Sequence, residues 1–165
     1  MKQLKTLLFA ALVFMSTSQV NAQAKVAHVD TNAIMAAMPE MLQAQKQLET
    51  LQGVYDKEFK GMVDEYQAKL QKYNSEAETV TEAMNQERAK EIQDMEKRIQ
   101  DYRQTAQKEL TKKEEDLMKP LMEKTKVAIE KVGKAKGYQY VLNAAGLLLA
   151  DGPDLTTDVK KELGF

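Results

Sequence analysis

Cysteine and tryptophan are absent from this 165-residue chain, histidine occurs once, and aromatic residues make up only 6%. Without cysteine the chain can hold no disulfide scaffold, no thiol nucleophile and no zinc site built on thiolates. A single histidine, His28, excludes a multi-histidine metal centre. The low aromatic content argues against a large aromatic-rich core. An excess of charge of one sign is also lacking. The 24 Lys+Arg and 25 Asp+Glu leave a formal net of -1 at pH 7, whereas nucleic-acid binders usually carry a basic excess or stripe. No glycine-rich phosphate loop, G-x-S-x-G, H-E-x-x-H or calcium-loop pattern occurs. No catalytic, cofactor-binding or metal site is therefore expected, and the chain reads as non-enzymatic. His28, flanked by Ala27 and Val29, reads as a packed strand residue, and Glu114-Glu115-Asp116 as a solvated helix face.

What is present begins with residues 1–22. A basic start (Lys2, Lys5), an apolar run from Leu7 to Met15 and the ending Val20-Asn21-Ala22 fit a secretory signal peptide. The apolar run is too short to span a bilayer as a helix, which needs about 20 apolar residues. Cleavage is expected after Ala22, with Ala24 as second choice, and export places the chain outside the cytosol. Loss of Lys2 and Lys5 leaves 22 basic groups against 25 acidic ones, a net of -3.

The middle of the chain has a helical pattern. Met41, Ala44, Leu48, Leu51, Tyr55, Phe59, Met62, Tyr66, Leu70, Tyr73, Ala77, Val80 and Met84 recur with a mean step of about 3.6 residues, the straight-helix period. A second stripe runs through Ile92, Met95, Ile99, Tyr102, Ala106, Leu110 and Leu117. Pairing Met41 with Leu117, Tyr55 with Tyr102, Met62 with Met95 and Tyr73 with Met84 keeps the summed residue numbers nearly constant. That is the signature of an antiparallel pair turning near residues 78–79. Thr79 with Glu82 fits a capping box for the returning helix, Pro39 suits the first turn of the outgoing one, and Pro120 is expected to break or kink the returning one. Each arm of about 35 residues would reach about 50 Å.

The pattern predicts an α+β, mostly α fold: a helical hairpin arm over 40–119, with its tip near 75–81, projecting from a small β-containing body made of 23–39 and 120–165. In the body, residues 25–30 read as a strand, Thr31 to Met38 as a short helix or turn, and Leu121 to Lys136 as a helix. Residues 138–142 and 147–150 read as a β-hairpin, and Thr156 or Thr157 as the cap of a last helix. Such a body is small for a domain, and Leu147-Leu148-Leu149 is apolar on both faces. Self-association through Val26, Val29, Tyr140, Leu142, Leu147 and Leu149 is expected.

Of the methionines, the pairing assigns Met41, Met62 and Met95 to core filling. Met84, Met118 and Met122 are candidate contacts for a bound protein, because methionine suits adaptable binding surfaces. Gly53 and Gly61 lie inside the outgoing helix, as close helix contacts, tolerated variation or points of local softness.

In their order and spacing these pieces resemble the Skp (OmpH-like) family of periplasmic chaperones. The likeness rests on Lys25-Val26-Ala27-His28-Val29-Asp30-Thr31 after a signal peptide and on the long charged hairpin. It also rests on Gly137-Tyr138-Gln139-Tyr140-Val141-Leu142, followed by Asp154-Leu155-Thr156-Thr157-Asp158-Val159. The resemblance implies a periplasmic homotrimer whose strands form a shared barrel and whose arms surround a cavity. Unfolded outer-membrane β-barrel proteins would be held there without ATP or any cofactor. The chain departs from its basic relatives in being slightly acidic after processing, so contact with lipopolysaccharide or a membrane surface is not carried over. The alternative reading is a non-enzymatic coiled-coil adaptor of the envelope with one folded partner.

Overall fold

The computed structural model describes residues 24–165; the expected signal peptide lies outside them. Strand β1 (Val26–Val29) is followed by the short helix α1 (Thr31–Ala37). Asp30 caps α1, its Oδ1 accepting from the Ala33 N–H at 2.9 Å. Met38 is extended and hands over to α2 (Pro39–Glu76), with Pro39 in the first turn, where its missing N–H is no loss. Helix α3 (Glu82–Ala135) returns antiparallel. Helices of 38 and 54 residues are about 57 and 81 Å long at 1.5 Å per residue. Strand β2 (Tyr140–Asn143), a 3₁₀ turn (Ala144–Gly146) and α4 (Thr156–Leu163) complete the chain. This is the α+β, mostly α architecture expected, a long helical hairpin on a small body containing strands.

Four local readings need correction. The returning helix starts two residues later than expected: Thr81, not Thr79, is its cap and accepts from the Met84 N–H, while the Thr79 hydroxyl donates back to the Glu76 carbonyl. Pro120 does not end the helix. Helix α3 runs through it, since proline removes one backbone bond and packing of the turns on either side holds the rest in register. Neither Thr156 nor Thr157 caps α4. The N-cap position is Leu155, which brings no side-chain bond; the Asp154 carboxylate, one residue before it, accepts from the Thr156 N–H at 2.8 Å. Finally, residues 138–142 and 147–150 form no hairpin. Asn143 turns its side chain onto the Ala145 N–H, the chain enters the 3₁₀ turn, and β2 pairs with β1 instead, in parallel, with Ala27 opposite Val141 and His28 opposite Leu142. The whole helical arm is thus the crossover of one parallel β–β unit.

The core lies where α3 and α4 cover one face of this sheet. Ala27, Val29, Ile34, Ala128, Val132, Leu155 and Val159 are buried together there. The segment around Asp154 runs along the other side of β1: the His28 N–H donates to the Pro153 carbonyl and the Leu155 N–H to the His28 carbonyl, each at 2.9 Å. His28 is accordingly a buried strand residue. The Asp30 N–H donates to the Thr156 hydroxyl oxygen at 2.9 Å, tying the start of α1 to the start of α4. The side-chain and backbone bonds from Thr156 hold the Asp154 carboxyl below its usual range.

Three helical glycines divide sharply. A methyl group at Gly53 or Gly61 would meet nothing within 4 Å, whereas at Gly133 it would come within 2.8 Å of Val141 Cγ2. Gly53→Ala and Gly61→Ala should therefore each stabilise the arm by about 1 kcal/mol through helix propensity. Gly133→Ala should lose that gain to overpacking, which costs about 1–3 kcal/mol, and should lower stability. Urea midpoints of the three variants check the opposite signs.

Candidate functional site

Period-2 alternation gives the sheet two unlike faces. Ala27, Val29 and Val141 point into the core. Val26, His28, Tyr140 and Leu142 share the other face; His28 is buried there, while Val26, Tyr140 and Leu142 are exposed, so that face is largely apolar and open around a buried histidine. The outer edge of β2 has no partner strand among the described residues. Just beyond it, Leu148 is fully exposed and Leu149 is 80% exposed. An open apolar sheet face beside an unpaired edge is a surface that associates.

Of the residues expected to mediate association, Val26, Tyr140 and Leu142 lie on this open face, and Leu149 is exposed in the segment that follows β2. Leu147 is half-buried, and Val29 is in the protomer's own core. The three candidate methionines are not brought together. Met84 is exposed in the first turn of α3 at the arm tip. Met118 and Met122 lie 34 and 38 residues further along α3, about 51 and 57 Å away at 1.5 Å per residue. These two line an open groove at the foot of the arm, together with Met35 of α1 and Met41 of α2. The groove has a volume of about 810 Å³ and is floored by Val29, Ile129 and Val141. Sequence reasoning placed Met41 in the arm core and passed over Met35. The signal was there in Met35, Met38 and Met41, spaced by three.

The arm itself is held by a narrow apolar seam flanked by hydrogen-bonded tyrosines. The Tyr55 and Tyr102 rings meet edge to face with centroids 6.1 Å apart. The Tyr102 hydroxyl donates to Glu58 and that of Tyr66 to Glu96, both at 2.6 Å across the two helices. Tyr55 donates to Glu109 at 3.2 Å, and Tyr73 and Lys69 both donate to Glu91. Near the tip the Arg88 guanidinium lies 4.6 Å from the Tyr73 ring centroid and pairs with Glu76 at 2.6 Å. Periodicity placed the tyrosines on the seam but gave no sign of their carboxylate partners on the opposite helix.

These bonds bind the phenolic protons more tightly. Desolvation and then the bond to Glu58 push Tyr102 up to about 12. Tyr55 is raised chiefly by desolvation, and Tyr66 and Tyr73 chiefly by their bonds to Glu96 and Glu91. A raised folded-state value means that the stabilisation is complete below the ordinary value of 10.0 and is lost as pH rises through the folded-state value. The arm should therefore loosen between about pH 10 and 12. Ultraviolet titration of the tyrosines should show a late-ionising group that disappears in Tyr102→Phe.

Among the described residues no group of three or more His, Cys, Asp or Glu converges, and no described helix is long and apolar enough to cross a membrane. Fold and site together define a class: a two-helix arm carried on a small α/β body with an open apolar face. A family model described as "Outer membrane protein (OmpH-like)" matches residues 25–163. The chain belongs to this OmpH-like family. No curated protein matches the chain. Among solved structures, the chain is similar to a candidate outer membrane chaperone (OmpH-like) from Caulobacter crescentus CB15. The identity is 17%, the match covers 85% of this chain and 83% of that one, and the TM-score is 0.76. At that identity the likeness speaks for the fold.

Proposed function

We propose that the protein is an ATP-independent periplasmic holdase chaperone. In this reading it binds unfolded outer-membrane β-barrel proteins between the arms of a homotrimer and keeps them from aggregating. The observation that carries this reading is the placement of an open apolar sheet face and an unpaired edge at the foot of a long arm. Copies joined through Val26, Tyr140, Leu142, Leu148 and Leu149 bury that surface and set their arms around a common space. Each arm is thin, with a narrow seam and wet outer faces, so it offers many weak contacts rather than one shaped pocket. That suits varied clients. Binding the unfolded state alone is enough to suppress aggregation and needs no nucleotide.

The test is dilution of a urea-unfolded β-barrel protein into buffer without ATP. Near-stoichiometric amounts of this protein should suppress light scattering for several unrelated clients. Unchanged scattering for all of them, with capture of one folded partner from an envelope extract, would replace this reading by the adaptor.

A further inference from the structure

The groove at the foot of the arm has a chemistry that the holdase reading does not use. Five of the eight methionines among the described residues, Met35, Met38, Met41, Met118 and Met122, come from the segments that meet there, and four of them line the groove. Met118 and Met122 are four apart on α3, so they stand on one helix face. The next residue on that face is Thr125, buried, whose Oγ1 lies 3.4 Å from the Met35 sulfur. That contact fixes a thioether from α1 within one helical turn of Met122. Met41 enters from the first turns of α2. Three helices thus contribute methionines to one groove. Met122 is 62% exposed, so a solute can reach it.

The absences in the composition removed thiolate and multi-histidine sites. They did not reach the thioether, which is a soft, neutral donor that selects Cu(I) over harder cations. We propose that Met35, Met41, Met118 and Met122 form a binding site for a soft monovalent cation, Cu(I). Lys126 and Glu130, of opposite charge and four apart on α3, both border the groove. Selection there rests on ligand softness rather than on a local excess of negative charge. Thioethers carry no proton at any accessible pH. Binding therefore releases none, and the affinity stays flat where a histidine or thiolate site would weaken on acidification.

The experiment is anaerobic titration of the purified protein with Cu(I) against a chromogenic chelator, together with NMR of the methionine methyl groups using Ag(I) as a redox-inert probe. Ag(I) should shift the methyl signals of Met35, Met41, Met118 and Met122 and leave those of Met62, Met84 and Met95 in place. The Cu(I) affinity should be constant from about pH 5 to 8. Loss of an outer-shell partner alone costs about 10–100-fold in metal affinity, so Met118→Leu with Met122→Leu should cost at least about tenfold. Leucine keeps the volume and apolar character of the groove, and an unchanged circular dichroism spectrum shows that the fold persists. Three results would each overturn the site: no shifts with Ag(I), shifts shared equally by exposed Met84, or an affinity that falls with acid and disappears in His28→Gln. None of these readouts depends on client binding, so the site and the holdase reading stand or fall separately.

Discussion

Leu148→Asp combined with Leu149→Asp should leave each chain folded and prevent its self-association. Both side chains project from the protomer, Leu148 fully and Leu149 at 80% exposure, and neither belongs to the buried cluster around Ile34. The substitutions therefore remove nothing from the protomer core. In an assembly that covers the open sheet face, each leucine would contribute about 1.5–3 kcal/mol by burial. Two per chain give about 3–6 kcal/mol, and each 1.4 kcal/mol is about tenfold in an association constant. Association should weaken by at least about a hundredfold, before any cost of bringing new carboxylates into an apolar contact. Light scattering should show a multiple of the protomer mass for the unaltered protein and the protomer mass for the variant, with equal helical circular dichroism. The variant should also lose its capacity to suppress client aggregation, because a lone arm encloses nothing. Equal masses for both proteins would remove the open face from the account of assembly.

The contrast between arm and body shows what the residues disclose before the structure is consulted. The arm was legible because the outgoing helix repeats an apolar residue every three or four positions from Met41 to Ala77 and the returning one does so from Ile92 to Leu110, and the pairing of Tyr55 with Tyr102 follows from register alone. The helix caps were less legible. Thr79 and Thr81 at one helix start, and Asp154 and Thr156 at another, are pairs of good capping types two residues apart, and which oxygen meets which N–H depends on backbone angles. The false hairpin has a different cause. Residues 140–142 and 147–149 have strand-like composition, but the partner of β2 is β1, more than 110 residues away, and local pattern carries no information on pairing at that range. The foot of the arm was half visible. Met118 and Met122 stood out because they had no place on the paired stripe. Met35 did not, because a seven-residue helix shows too little periodicity to reveal which face it presents.

Ile34→Ala should be the most damaging single truncation in the body. Ile34 is 0% exposed and packs with Ala27, Val29, Ala128, Val132, Leu155 and Val159. Its helix α1 has seven residues, too few to be stable without tertiary packing. Truncating a buried isoleucine to alanine costs about 2–5 kcal/mol, against a typical domain stability of about 5–15 kcal/mol. Neighbours cannot refill the space easily. Two are alanines, and Val29 is held in the β1 ladder opposite Asn143. The urea midpoint should fall accordingly. Leu42→Ala, at an exposed position on α2, should stay within about 0.5 kcal/mol of the parent. The consequence reaches beyond the body. Asp30 at the head of α1 is bonded to Thr156, and α3 brings Ala128 and Val132 into this same packing, so loss of the Ile34 anchor loosens the foot of the returning helix. Ile34→Ala should therefore weaken both assembly and client protection at urea concentrations where the parent is intact, although Ile34 lies in neither surface. If the variant unfolds at a lower midpoint yet keeps its assembled mass and its protection up to the parent's midpoint, the body is not what holds the arms.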